Sequence, residues 1–350
     1  MRIVLLLGLE VACFIVVVSG VLRLLSRPSA APGVVASAAG GRPGARFVPS
    51  LPSRLDDELI RPATDARGTF LGMADELLLK RLKDAQVKTV RFNKGGSSIS
   101  CRIDFADGSR ASFKPTQTNP QSVPRKEAAA YRIGRLLGLS VIAPALLRPL
   151  GQRDLFGKLH PDSEWARDRL ERETLFDERG ETVGALMYWI PQVVDLHLDT
   201  TDGILAWAEQ LSQEGSTPPE RAPLLAQLST LLLFDLLQNN YDRFSGGNLL
   251  GSPDGRTLYF MDNAIGFQTD PDGHQRCWSY LKRAQRFSRR FVGALRRLER
   301  PALVEALRDP GGPLLTDEEL DALMARRDRA LRYVDRLIEQ HGEPAVLAFP

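Results

Sequence analysis

Two short segments, Asn239-Asn240-Tyr241-Asp242-Arg243-Phe244-Ser245-Gly246-Gly247-Asn248 and Met261-Asp262-Asn263-Ala264-Ile265-Gly266-Phe267, constrain this chain more than any other stretch. Between them Pro253-Asp254-Gly255 signals a tight turn. Apolar residues flank it, so Leu249 to Phe260 reads as two short paired strands. A hairpin brings its ends together. Asn248 at its start and Asp262 at its end should therefore face one point in space, with Asp242 just upstream. Two oxygen-donor side chains beside a free carboxylate can hold a magnesium-type ion and orient a hydroxyl nucleophile. Taken singly, each of these residues reads more readily as a turn cap, since turns favour Asp and Asn for local hydrogen bonding. Their joint spacing is what favours a site.

The rest of the chain can supply a scaffold. Its 350 residues are 43% hydrophobic and 25% charged, which is ordinary for a globular protein with a sizeable core. The net charge of +3 is too small to indicate nucleic acid, and no DNA- or RNA-binding motif is present. The cysteines Cys13, Cys101 and Cys277 form neither a zinc spacing nor a disulfide framework. Free thiols at Cys101 and Cys277 are favoured over a bridge between them. His160, His197, His274 and His341 make no metal-ligand pattern.

Ile3 to Leu25 is almost entirely apolar, interrupted by Glu10 and Arg23, and is long enough to cross a hydrocarbon layer of about 30 Å. Ala36-Ser37-Ala38 resembles a signal-peptidase site but lies far beyond the apolar run, so an uncleaved anchor over residues 1–25 is expected. Arg23, Arg27 and Arg42 follow the span, a weak bias towards a cytoplasmic C-terminal part. Residues 26–53, rich in Pro, Ala, Gly and Ser, read as a flexible tether.

Within the globular part, Ile99 to Phe105 alternates as a strand, Ala106-Asp107-Gly108-Ser109 turns, and Arg110 to Lys114 returns. Upstream, Gly95-Gly96 beside small hydroxyl residues is either a plain hairpin turn or a loop whose amides approach phosphate. Lys114 ends the second strand, and a helix from about Arg125 to Leu137 carries Glu127 in its first turn. That combination matches the ion pair that positions nucleotide phosphates in kinases, although Glu127 also suits a helix N-terminus on its own. Val183 to Pro191 reads as a buried strand, and His160 to Glu181 as a solvated helical insertion. In a two-lobed kinase such a strand runs into the hinge, where Met187 and Trp189 would meet adenine.

From Pro223 to Leu237 Leu recurs on every face, so this helix is expected to be buried all round. Thr316-Asp317-Glu318-Glu319 is a capping-box start for a last helix running to Glu339. The basic run from Lys282 to Arg300 reads as a solvated face, or as a surface for an acidic substrate or lipid headgroups.

The ordered set Phe105-Ala106-Asp107-Gly108-Ser109-Arg110-Ala111, Phe113-Lys114-Pro115, Lys126-Glu127-Ala128, Asn240-Tyr241-Asp242-Arg243 and Met261-Asp262-Asn263 resembles the four-jointed box kinases. More distantly, it is similar to the Golgi casein kinase family of secretory-pathway kinases. The resemblance spans about Val90 to Phe291. It implies an α+β, two-lobed, atypical protein-kinase-like fold, with a small β-rich N-lobe (54–192) and a mainly helical catalytic C-lobe (193–350). The implied activity is metal-dependent transfer of the γ-phosphate of ATP, with Mg2+ or Mn2+, to a hydroxyl, foremost protein Ser or Thr. A sugar or lipid acceptor, or a catalytically silent binding module, is the alternative. By resemblance Asp242 is the base and Asp262 a metal ligand. Asn248 is the second ligand, one residue further from Asp242 than the usual kinase spacing. Lys114, Glu127, Gly95, Gly96, Met187 and Trp189 would contact the nucleotide. Family members act in an ATP-supplied lumen, so the resemblance implies an extracytoplasmic catalytic part.

Overall fold

Strand alternation sets out the architecture. In the computed structural model, which describes residues 68–350, the chain opens with two-residue strands β1 (Thr69–Phe70) and β2 (Met73–Ala74) and helix α1 (Asp75–Asp84). Strands β3 (Val87–Phe92), β4 (Cys101–Phe105) and β5 (Arg110–Pro115) precede helix α2 (Pro124–Leu136). Strand β6 (Ala145–Gly151), the short helices α3 (Gln152–Leu155) and α4 (Arg167–Glu173), and β7 (Glu181–Tyr188) complete this part. The sheet runs β3-β4-β5-β7-β6 with every pair antiparallel. Cys101, Ile103 and Phe105 of β4, with Ala111 and Phe113 of β5, point into one apolar core with Leu150, Leu155, Leu170 and Leu186. Because side chains alternate with period two, Ser112 and Lys114 of β5 emerge on the opposite face.

Gly184 of β7 sits opposite Pro115. A Cβ there would lie 2.3 Å from the Phe113 ring and 2.6 Å from the Lys114 carbonyl oxygen, so only glycine lets β5 and Phe113 close onto β7.

Helix α2 starts with Pro124, whose missing N–H costs nothing at this position. Its Ala128-Ala129-Ala130 face is fully buried, and these small side chains let the helix press into a second, larger core made mostly by the following helices.

Those helices are α5 (Thr201–Leu211), α6 (Ala222–Gln238), α7 (Gln275–Leu281), α8 (Arg289–Arg296), α9 (Arg300–Ala306), α10 (Asp317–His341) and α11 (Glu343–Val346). Two-residue strands β8 (Val194–Asp195) and β9 (Leu250–Gly251) pair beside them. As expected from its leucines, α6 is buried without interruption from Leu228 into the loop at Asn240. Each enclosed Leu contributes about 2 kcal/mol. The capping box of α10 forms as read, with Thr316 and Glu319 exchanging side-chain and backbone hydrogen bonds.

The structure departs from the sequence reading at several points. The hairpin between Asn248 and Asp262 is reduced to one bridge, Gly251 to Leu258, held by the Ser252 amide on the Thr257 carbonyl and the Tyr259 amide on the Leu250 carbonyl (both 2.9 Å), while the other edge of Leu250–Gly251 pairs with β8. The stretch from His160 is not one solvated helix. It forms a 3-10 turn (Pro161–Ala166) and α4, with Ala166 and Leu170 buried under the sheet and the Phe92 amide donating to Ser163 Oγ (3.0 Å). Strand β7 ends at Tyr188, short of Pro191. The basic run is broken between α7 and α8. There Arg286 turns inward to donate to Thr217 Oγ1 (2.7 Å), while Arg289, Arg296 and Arg300 pair with carboxylates. Cys101 and Cys277 are free, one in each core, and burial pushes both thiols up to about 12. The expected anchor (1–25) and tether (26–53) lie outside the described residues, among which no helix is long and apolar enough to cross a membrane.

Candidate active site

A cleft of about 530 Å3 opens between the free face of the sheet and the loops that follow α6, a volume suited to a nucleotide-sized ligand. Gly95, Gly96, Lys114, Glu127, Met187, Trp189, Asn248 and Asp262 all line it. Eight residues chosen from sequence thus meet in one cavity. Asp242 stands on the loop immediately beyond the cleft wall.

Lys114 is the hub. Its Nζ donates to Glu127 Oε1 (2.7 Å) and to Asp262 Oδ1. The second Glu127 oxygen accepts the Asn263 backbone N–H (3.1 Å). Glu127 therefore fixes both the ammonium and the segment that carries Asp262. Burial alone would lower the Lys114 pKa, but attraction to Glu127 and Asp262 outweighs it and holds the ammonium above its usual range. The neighbouring Lys114 charge holds the Asp262 carboxyl below the usual carboxylate range, against the opposing effect of burial.

Asp262 adopts a left-handed backbone (φ 54°), uncommon for a residue other than glycine. Such a conformation costs on the order of 1 kcal/mol and persists where the surroundings dictate it. Here they do. The Met261 carbonyl accepts from Arg243 Nη1, the Asp262 carbonyl accepts from Asn240 Nδ2 (2.9 Å), and the Asn263 amide is held by Glu127.

The Asp242 loop is entered through Asn239, a left-handed cap (φ 61°) ending α6, and its tip is Gly246-Gly247, both with positive φ. Within it the Asp242 amide donates to Asn240 Oδ1 (3.2 Å), and Asn248 Nδ2 donates to the Asp242 carbonyl (3.2 Å). That bond turns the amide nitrogen of Asn248 onto the loop and leaves its oxygen as the group with metal-donor chemistry. The Asp242 carboxylate has no hydrogen-bond partner among the described residues, which leaves both its oxygens available to a ligand.

The glycine loop joins β3 to β4. Its base is closed by the Asn93 amide to the Ser100 carbonyl (2.9 Å), and Gly95 and Gly96 take φ 99° and 77° over the cleft. At the hinge, Met187 and Trp189 contribute to the wall, but their amides are committed. Met187 lies inside the β5-β7-β6 ladder, and Trp189 donates to the Arg110 carbonyl (3.1 Å). The first amide with no backbone acceptor among the described residues is Ile190, also in the cleft wall.

Sequence reasoning gave no role to Asp235, Arg243 and Asn263. Arg243 is buried, and its Nε and Nη2 donate to Asp235 (both 3.1 Å) while Nη2 also reaches Asn263 Oδ1 (2.9 Å). The signal was available: an Asp inside an otherwise apolar helix must find a cation.

Among the described residues no three His, Cys, Asp or Glu side chains cluster with metal-holding geometry. Asp262, whose side chain is 48% exposed to the cleft, and the Asn248 amide oxygen supply hard oxygen donors of the kind Mg2+ and Mn2+ accept, so the residues fit such an ion.

No family model matches the sequence, and neither does any curated protein. Solved structures do match. A Golgi casein kinase crystal structure superposes with a TM-score of 0.61 at 16% identity, over 80% of this chain and 79% of that one. The Golgi casein kinase with Mn and ADP bound gives 0.61 at 16%, over 80% of each chain. Hydra Fam20 with sugar gives 0.63 at 17%, over 81% of this chain and 95% of that one. The chain therefore has the mixed α/β, kinase-like fold of the Golgi casein kinase and Fam20 structures.

Proposed function

We propose that this chain is an ATP-dependent phosphotransferase that acts on a hydroxyl, foremost on protein Ser or Thr, and is held at a membrane by its N-terminal apolar segment. The observation that carries this reading is the convergence of Lys114, Glu127 and Asp262 from three separate elements, at the floor of a cleft walled by a glycine loop and a hinge. A Golgi casein kinase of the same fold holds Mn and ADP, which supports nucleotide and a divalent ion as the ligands here.

In this mechanism Lys114, oriented by Glu127, donates to nucleotide phosphate oxygens, and the Gly95-Gly96 backbone covers the phosphates. Asp262 and Asn248 would hold Mg2+ or Mn2+, which supplies neutralisation of charge on the transferring phosphoryl group. Asp242 accepts the acceptor hydroxyl's proton as the oxygen forms its bond to the γ-phosphorus. The bond from that phosphorus to the bridging oxygen breaks, and ADP leaves with its electron pair.

The test is thermal unfolding of the full chain with ATP, with and without Mn2+ or Mg2+, alongside phosphate transfer to Ser/Thr peptides. Nucleotide at 100 times its dissociation constant should add about 2.7 kcal/mol of stability, and only when metal is present. No metal-dependent stabilisation would reduce the protein to a binding module. Stabilisation with transfer to glycan or lipid but not to peptide would reassign the acceptor.

A further inference from the structure

Resting on that reading, we propose that Arg243 is a positioning residue that ties the Asp242 loop to the Asp262 backbone, with Asp235 as its anchor. One rigid guanidinium has its Nε and Nη2 on the Asp235 carboxylate of α6, its Nη1 on the Met261 carbonyl and its Nη2 on Asn263 Oδ1. It therefore grips the residue before and the residue after Asp262, while its own backbone adjoins Asp242. The proton acceptor and the metal-side carboxylate belong to loops that share no strand ladder. Asn240 Nδ2 reaches the Asp262 carbonyl itself, and Arg243 adds a bond to the residue on each side of it. Its planar fork serves three acceptors in different directions, which a lysine ammonium on a flexible stem cannot reproduce. Because the whole side chain is buried, the group is inaccessible to substrate, so its role is geometric.

The experiment compares Arg243→Lys, Arg243→Met and the double variant Asp235→Asn with Arg243→Met in the full chain. Amide hydrogen exchange over residues 240–248 and 261–267, melting temperature, and kcat and KM for ATP are recorded. Arg243→Lys keeps a cation beside Asp235 and serves if Arg243→Met folds poorly. It should still accelerate exchange in both segments together, by about tenfold or more. It should also lower kcat by about 100-fold with KM for ATP changed far less, as expected for a misplacement near 1 Å. The double variant, having no stranded buried charge, should regain melting temperature but not kcat. Unchanged exchange in 261–267 in every variant, or recovery of kcat together with melting temperature in the double variant, overturns the proposal. Exchange is read without turnover. A wild type that transfers no phosphate would therefore sink the kinase reading while the loop coupling is still decided.

Discussion

Lys114 and Asp262 are 148 positions apart in the chain, yet one ammonium joins Asp262 to Glu127. The two carboxylates differ in setting. The Glu127 side chain is 3% exposed and the Asp262 side chain 48%. Glu127 is thus a fixed partner with both oxygens used, while Asp262 faces the cleft, where the proposed metal would compete with the ammonium for it.

Lys114→Met removes the cation that bridges the Glu127 and Asp262 carboxylates. Breaking a buried pair of this kind costs about 3 kcal/mol. Melting temperature should fall, and phosphate transfer should drop at least about 100-fold. An unchanged melting temperature would mean that the ion pair contributes nothing to the fold.

Asp262→Asn and Asp242→Asn should separate binding from chemistry. The first removes the charge facing the cation and should abolish metal-dependent stabilisation by nucleotide. The second should leave that stabilisation intact and lower kcat by about 1,000-fold, the middle of the range for loss of a general base. Calorimetry with Mn2+ and ADP beside steady-state kinetics reads both, and equal loss of binding in both variants would contradict the assignment of roles.

The N-terminus of α10 should give a pH signature. Burial works to raise the Glu319 pKa, but the Arg125 fork (2.6 and 2.8 Å), the Thr316 amide and Lys126 outweigh it and hold the carboxyl below its ordinary value of 4.5. For an acid with a depressed folded-state pKa, the stabilisation is complete above the unfolded value and disappears as pH falls through the folded one. Melting curves from about pH 6 to pH 3 should show wild type losing stability faster than Glu319→Gln, which starts lower and titrates less. Parallel curves would show that the pair is thermodynamically silent.

Gly184→Val introduces a Cβ 2.3 Å from the Phe113 ring, on the strand beside Lys114. Overpacking should cost about 1–3 kcal/mol and displace β5. Nucleotide affinity should then fall together with melting temperature, although residue 184 does not line the cleft.

Much of the site was legible because its signals are local. Asp107-Gly108 fixed the β4–β5 turn, alternation put Phe113 inside and Lys114 outside, and Leu-rich periodicity marked α6. What escaped depends on partners chosen in three dimensions. Arg125 meets Glu319 across 194 positions, and two-residue strands such as β8 carry no periodicity to read. Which amide is released beyond β7 could not be read because Val183 to Pro191 is uniformly apolar, so nothing in it marks where the ladder stops. Asp235 was overlooked as one polar letter in a helix judged by its leucines.

Helix α2 is riveted from both sides. Arg125 and Lys126 engage Glu319, Arg132 engages Asp309, and Arg135 engages Asp75. To swing Glu127 away from Lys114, the helix would have to abandon four ionic contacts at once and pull a run of alanines out of a packed interior. The Lys114–Glu127 pair is therefore set by the packing of α2 as a whole.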